Sequence, residues 1–160
     1  MRFEVDGKGP GEEIALAAGA APSLHVVADV VSIAPLDSIE VLVNGDVAQT
    51  VRAADPLHVS FDGRIEVPQG GWVALRASGP KSPYLGDDYA FAQTTPVYVV
   101  RGGRRYLKAA DVAFLSDTVR AIWSRVEGSR WRSDAERDAF RAAVDQALAV
   151  YEKLRAEAGQ

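Results

Sequence analysis

The chain has no cysteine. Disulfide bonds, thiolate nucleophiles, cysteine-ligated zinc and iron–sulfur clusters are therefore excluded from its chemistry. Histidine is nearly as scarce, with only His25 and His58 in 160 residues. A zinc site needs three or four protein ligands, and along the chain neither histidine has a second histidine or a carboxylate at ligand spacing. No apolar run approaches the roughly 18 residues of a membrane span. The opening MRFEVDGKGPGEE lacks a basic segment leading into an apolar block, so no signal peptide is expected and the cytoplasm is favoured. Met1 opens straight into a strand-like pattern, which leads us to expect further residues upstream in the native polypeptide, with a short native protein as the alternative. Positive charge is also not concentrated anywhere. The net charge of −4 falls on residues 1–107, residues 108–160 are neutral overall, and no Lys/Arg cluster stands out. Nucleic acid is not an expected partner.

What is present is an ordinary globular composition, 48% apolar and 25% charged, long enough to bury a core. Two regimes divide it. Up to about Tyr106 the chain is rich in valine, with Gly, Pro, Asn and Asp at short intervals, the pattern of short strands and tight turns. From Lys108 onward there is no proline and the apolar period becomes helical.

Strands are expected at Arg2–Asp6, Ser23–Ile33, Ser38–Val43, Val47–Val51, Leu57–Phe61, Arg64–Val67, Trp72–Ala77, Thr95–Val100 and Arg104–Leu107. GKGPGEE is read as a loop. Asn44-Gly45 is the strongest hairpin signal, because both central positions of a type I′ turn take positive φ. Asp62-Gly63 is a second. About seven to nine short strands at this spacing predict an antiparallel β-sandwich of immunoglobulin-like architecture, with a closed barrel as the alternative.

In the tail, Val112, Leu115, Val119, Ile122, Trp123 and Val126 form one helical stripe. Gly128 is placed just past its end as a C′ residue. Ser133 and Glu136 then have capping-box spacing, and Phe140, Val144, Ala147, Leu148, Tyr151 and Leu154 form a second stripe. The expected domains are a sandwich over 1–107 and a helical hairpin over 108–160, packed on the sandwich as part of the same structural unit.

Chemistry-bearing motifs are few. Gly7-Lys8-Gly9-Pro10-Gly11 has the wrong spacing for a phosphate loop, and its proline removes an amide. It is read as a connector. No serine lies in a GxSxG elbow. Asp87-Asp88 is an adjacent acidic pair without the alternating ligands of an EF-hand. Strand alternation puts Trp72, Ala74, Arg76 and Ser78 on one face and Val73, Leu75 and Ala77 on the other. Arg76 is then either a solvated outer residue or half of a buried ion pair, with Asp87 or Asp88 as its carboxylate. Trp72, Arg76, Tyr84 and Tyr98, with Asp87 and Asp88 nearby, are the candidate ligand or interface patch. The plain alternative for each is an outer-face or loop residue. No catalytic residue, metal ligand or cofactor site is assigned.

Two segments carry a resemblance: Gly71-Trp72-Val73-Ala74-Leu75-Arg76-Ala77-Ser78-Gly79-Pro80, and Ala90-Phe91-Ala92-Gln93-Thr94-Thr95-Pro96-Val97-Tyr98-Val99. They resemble the region that follows the catalytic domain in the CehA/McbA family of metallohydrolases, bacterial proteins with a PHP-like metal-dependent phosphoesterase domain. The strand ending Val5-Asp6-Gly7, the stretch Leu36–Gly45 and the helical tail agree with it. The family pattern has histidine where this chain has Gln93, and the family's metal ligands lie in the PHP-like domain, so none is carried over. The resemblance implies a non-catalytic accessory domain that is structural, mediates oligomerisation or governs substrate access. Its partners would be an upstream catalytic domain of the same polypeptide or a second copy of itself. A stand-alone carbohydrate-binding module using Trp72, Arg76, Tyr84 and Tyr98 is the second expectation. A small metal-dependent enzyme using His25, His58 and Asp88 is the third.

Overall fold

The computed structural model describes residues 1–104 and 106–158. They fall into two compact units, Met1–Tyr106 and Leu107–Gln160.

Among its described residues the first unit is built of nine strands: β1 (Arg2–Val5), β2 (Glu13–Leu16), β3 (Ser23–Val31), β4 (Ser38–Val43), β5 (Asp46–Arg52), β6 (His58–Glu66), β7 (Gly71–Gly79), β8 (Ala90–Gln93) and β9 (Val97–Arg101). They form two sheets. One has the order β1-β3-β6; the other runs β2-β9-β7-β4-β5, with β8 also pairing β7. Strand alternation is the cause of the core. On β3, Leu24, Val26, Ala28 and Val30 are buried while their neighbours are not. On the second sheet Ile39, Val41, Val73, Leu75, Val97 and Val99 are almost wholly buried, and both sets belong to one apolar cluster. Each such large side chain contributes roughly 1.5–3 kcal/mol on burial.

The Asn44-Gly45 turn forms as expected, with φ of 54° and 93°. Asp62-Gly63 does not make a hairpin. Both residues lie inside the nine-residue β6, opposite Val27 and Val26 of β3. The long partner strand supplies hydrogen bonds throughout, and that ladder overrides the local turn preference. The Phe61 ring covers Gly63 there, and a Cβ on that glycine would lie 2.7 Å from Cζ of the ring.

Three further expectations are corrected. The second sheet is mixed, not purely antiparallel, because β2 runs parallel to β9. β2 and β8 are strands in stretches not expected to contain any; each has four residues, β2 gaining its ladder from β9, about 85 residues on, and β8 from β7, the strand just before it. Of the expected strand Arg104–Leu107, Arg105 lies outside the described residues. Arg104 makes an isolated bridge to Arg101 across Gly102-Gly103, and Tyr106 and Leu107 are not strand.

The second unit contains α1 (Ala109–Val126) and α2 (Asp134–Ala158), which pack on each other. Val112 near the start of α1 lines the same cleft as Tyr151 and Arg155 near the end of α2. Trp123 near the end of α1 stacks on Phe140 near the start of α2, with centroids 6.3 Å apart. The helices are therefore antiparallel. Glu136 N–H donates to Ser133 Oγ at 3.2 Å, half of the expected capping box. The reciprocal half is diverted, because the Glu136 carboxylate accepts from the Arg132 amide and guanidinium. Gly128 follows the C-cap Glu127 without positive φ, so the left-handed ending is absent. Burial of the two stripes is also narrower than the pattern suggests. Leu115, Ile122 and Phe140 are 44%, 45% and 38% exposed, and only Val112 and Val144 among the apolar helical residues are fully buried. Two helices touch along a strip, and an apolar stripe wider than that strip stays wet. No helix among the described residues is long and apolar enough to cross a membrane.

Candidate functional site

The two histidines were expected to stand alone. Instead each meets a carboxylate across the β3–β6 ladder. His25 Nε2 lies 2.7 Å from Asp62 Oδ1, and His58 Nε2 lies 2.6 Å from Asp29 Oδ1. The hydrogen bond to Asp29, with the negative charge of that carboxylate, raises the His58 pKa above its ordinary value. His25 is opposite Arg64 and His58 opposite Val31, at two ends of one ladder about 20 Å apart at 3.3 Å per residue. Asp88 is in neither pair; its carboxylate holds Lys81 at 2.6 Å. The three residues of the metal-dependent hypothesis are therefore not assembled, and no described group of three His, Asp or Glu has metal-holding geometry. The glycine-rich Gly7–Gly11 stretch is likewise occupied by the chain itself. Gly9 N–H donates to Glu12 Oε2 at 2.7 Å and Lys8 reaches Oε1 at 3.1 Å, which together lower the Glu12 pKa.

The outer face of β7 assembles part of the candidate patch. Val73, Leu75 and Ala77 point into the core, as alternation requires, which turns Trp72 and Arg76 outward. Trp72 is paired in register with Tyr98 of β9, so the two rings stand on the same face of adjacent strands. Arg76 is paired in register with Glu40 of β4 and binds it twice, Nε and Nη2 both meeting Oε2 at 2.8 and 2.6 Å. Glu40, not Asp87 or Asp88, is therefore its carboxylate. The alternating Ile39-Glu40-Val41 placed Glu40 on an outer face, but sequence does not say that β4 neighbours β7. Among the described residues, Arg76 Nη1 and Glu40 Oε1 have no hydrogen-bond partner, leaving one donor and one acceptor of the pair open. Between the aromatic pair and the ion pair, Ala74 and Leu42 are buried, so solvent reaches this face at its two ends. They are about 13 Å apart along the strand.

Tyr84, Asp87 and Asp88 do not join them. They sit in the exposed loop between β7 and β8, with Tyr84 72% exposed. That loop helps form a different feature, at the end of the sheets where β3 leaves and β8 begins. A cavity of about 130 Å³ is lined by Met1, Val31, Ile33, Leu36, Leu85 and Phe91 among others. Val31, Ile33 and Phe91 are 71%, 75% and 56% exposed, and Tyr89 meets the Phe91 ring edge-on at 6.2 Å. Sequence reasoning missed this apolar end. The available signal was that Val31-Ser32-Ile33 continues the apolar run past the end of its strand pairing.

In comparisons with known proteins, no family model, no curated protein and no solved structure matches the chain.

Proposed function

We propose that the chain is a non-catalytic accessory module of immunoglobulin-like sandwich architecture, which docks on the catalytic domain of a metal-dependent hydrolase of the CehA/McbA kind. The observation that carries this reading is the apolar end of the sheets. Contiguous exposed aliphatic and aromatic side chains around a shallow cavity are costly in water and mark surfaces that another protein covers. The resemblance of the β7 and β8–β9 segments supplies the identity of that protein. Docking there would leave the ion pairs of the outer sheet faces in solvent.

The test mixes the full chain with a purified CehA/McbA catalytic domain. Co-elution and a raised melting temperature of that domain are expected, and both should vanish for the Ile33→Asp, Phe91→Asp double variant. A wild-type chain that neither co-elutes with nor stabilises the domain counts against docking.

A second reading is favoured by one separate observation, the placing of Trp72, Tyr98 and the half-open Arg76–Glu40 pair on one face. An aromatic surface stacks on the apolar side of one sugar ring, and a charged donor and acceptor about 13 Å along the strand match the hydroxyls of another ring of the same oligosaccharide. Calorimetric titration with neutral oligosaccharides would show binding that Trp72→Ala abolishes. No heat with any of them removes this reading.

A further inference from the structure

The stripe that α1 turns away from α2 has an internal symmetry. Asp111, Phe114, Thr118, Ile122 and Arg125 are spaced 3, 4, 4 and 3 residues apart, so they share one helix face with a spacing symmetric about Thr118, apolar residues on either side of it and opposite charges at the two ends. At 100° per residue this face lies roughly 140° around the helix from Val112, Ser116 and Trp123, the side that meets α2. All five residues are exposed, Phe114 at 69% and Ile122 at 45%. Asp111 and Arg125 have no ion-pair partner among the described residues. Thr118 Oγ1 donates to the Phe114 carbonyl at 2.8 Å, so its hydroxyl is already satisfied within the helix.

We propose that this stripe is the seam of a homodimer in which α1 of one protomer packs antiparallel on α1 of its partner, with the two-fold axis passing Thr118. The seam belongs to the helical unit and does not rest on the docking of the sheet end. In that arrangement Phe114 meets Ile122 of the partner subunit twice. Asp111 meets Arg125 of the partner subunit twice, and Thr118 meets its own copy. A patch whose spacing is symmetric about its centre and whose charge changes sign from one end to the other is complementary to itself when paired antiparallel, which is what an isologous two-fold contact requires. A patch made for an unrelated partner has no reason to be complementary to itself. Charge placement also fixes direction. A parallel pairing would set Asp111 against Asp111 and Arg125 against Arg125, and like charges across an interface are strongly disfavoured. An 18-residue helix is about 27 Å long. One helix pair of that length is at the small end of specific interfaces, so the association is weak and concentration-dependent.

Sedimentation equilibrium of the full chain, from about 1 μM to several hundred μM, should show the mass rising from 17.1 kDa toward twice that value. Ile122→Lys should hold it at the monomer mass with unchanged helicity. Asp111→Arg and Arg125→Asp alone should each weaken the dimer by about tenfold or more, and the double swap should restore it. The native chain has no cysteine, so Thr118→Cys gives a single thiol on the axis. It should oxidise to a covalent dimer faster than Asp117→Cys, whose thiol would face away from the seam. A chain that stays monomeric at the highest concentration overturns the proposal. So does a dimer that Ile122→Lys leaves intact, or one in which the double swap fails to recover what each single swap loses. A dimer broken by Ile33→Asp but not by the α1 variants would place self-association at the sheet end and also overturn it.

Discussion

Asn44 holds the backbone of Trp72 from across the sheet. Its Oδ1 accepts the Trp72 N–H at 2.9 Å, and its own N–H donates to the Trp72 carbonyl at 3.1 Å. Its Nδ2 meanwhile donates to the Gly70 carbonyl at 3.0 Å. One asparagine in the left-handed region therefore forms the β4–β5 turn and pins the entry to β7, where Trp72 and Arg76 stand.

The clamp leaves no room beside it. A Cβ on Gly71 would fall 1.9 Å from Asn44 Oδ1, at a φ of +112°. Gly71→Ala must break the clamp and strain the backbone, and a loss of about 2–3 kcal/mol is expected in urea unfolding. Wild-type stability would mean that the turn does not depend on Asn44.

Gly45 and Gly63 both follow an Asn or Asp, yet only Gly45 has positive φ. Gly45→Val is expected to cost about 1–2 kcal/mol through left-handed strain. Gly63→Val sits in extended backbone and meets only the far end of the Phe61 ring, which can swing aside, so a loss under about 1 kcal/mol is expected. Equal losses on thermal melting would show that Gly63 is at a turn after all.

His58 titrates above its ordinary value of 6.5 because it hydrogen-bonds to Asp29 and sits beside that charge. A pKa higher in the folded state than in the unfolded one means that the contribution to stability is complete below about pH 6.5. It is lost as pH rises through the folded midpoint. An NMR titration should place the His58 midpoint above 6.5, and Asp29→Asn should return it toward that value. An unshifted midpoint in the wild type would mean that the 2.6 Å contact is not kept in solution.

Trp123 is the centre of an aromatic cluster in the helical unit, 6.5 Å from Trp131 and 6.3 Å from Phe140, with the Arg141 guanidinium 5.1 Å from its ring centre. It is only half-buried, so the loss for Trp123→Ala is expected to be about 1–2 kcal/mol, not the roughly 3 kcal/mol of a full core position. Far-UV circular dichroism should register it as an earlier melting of helix. Unchanged helicity and melting would show the rings to be spectators.

Local pattern alone determined much of this molecule. Alternation on β3, β4 and β7 decided which side chains enter the core, because successive residues of a strand must face opposite ways. Asn44-Gly45 determined its turn, since few other pairs tolerate two positive φ angles. The 3.6-residue period determined both helices. Tertiary structure decided the rest, because each remaining feature depends on which segments become neighbours. β2 exists only through a partner far along the chain, β8 forms because β7 ends beside it, and Asp62-Gly63 stays extended because β3 runs beside it. Arg76 takes Glu40, and His58 takes Asp29, through ladders that no sequence spacing announces. The apolar rim of Val31, Ile33 and Phe91 gathers only when strands from both sheets end at the same place. Periodicity fixes the direction in which a side chain points, and chain topology alone fixes what it meets there.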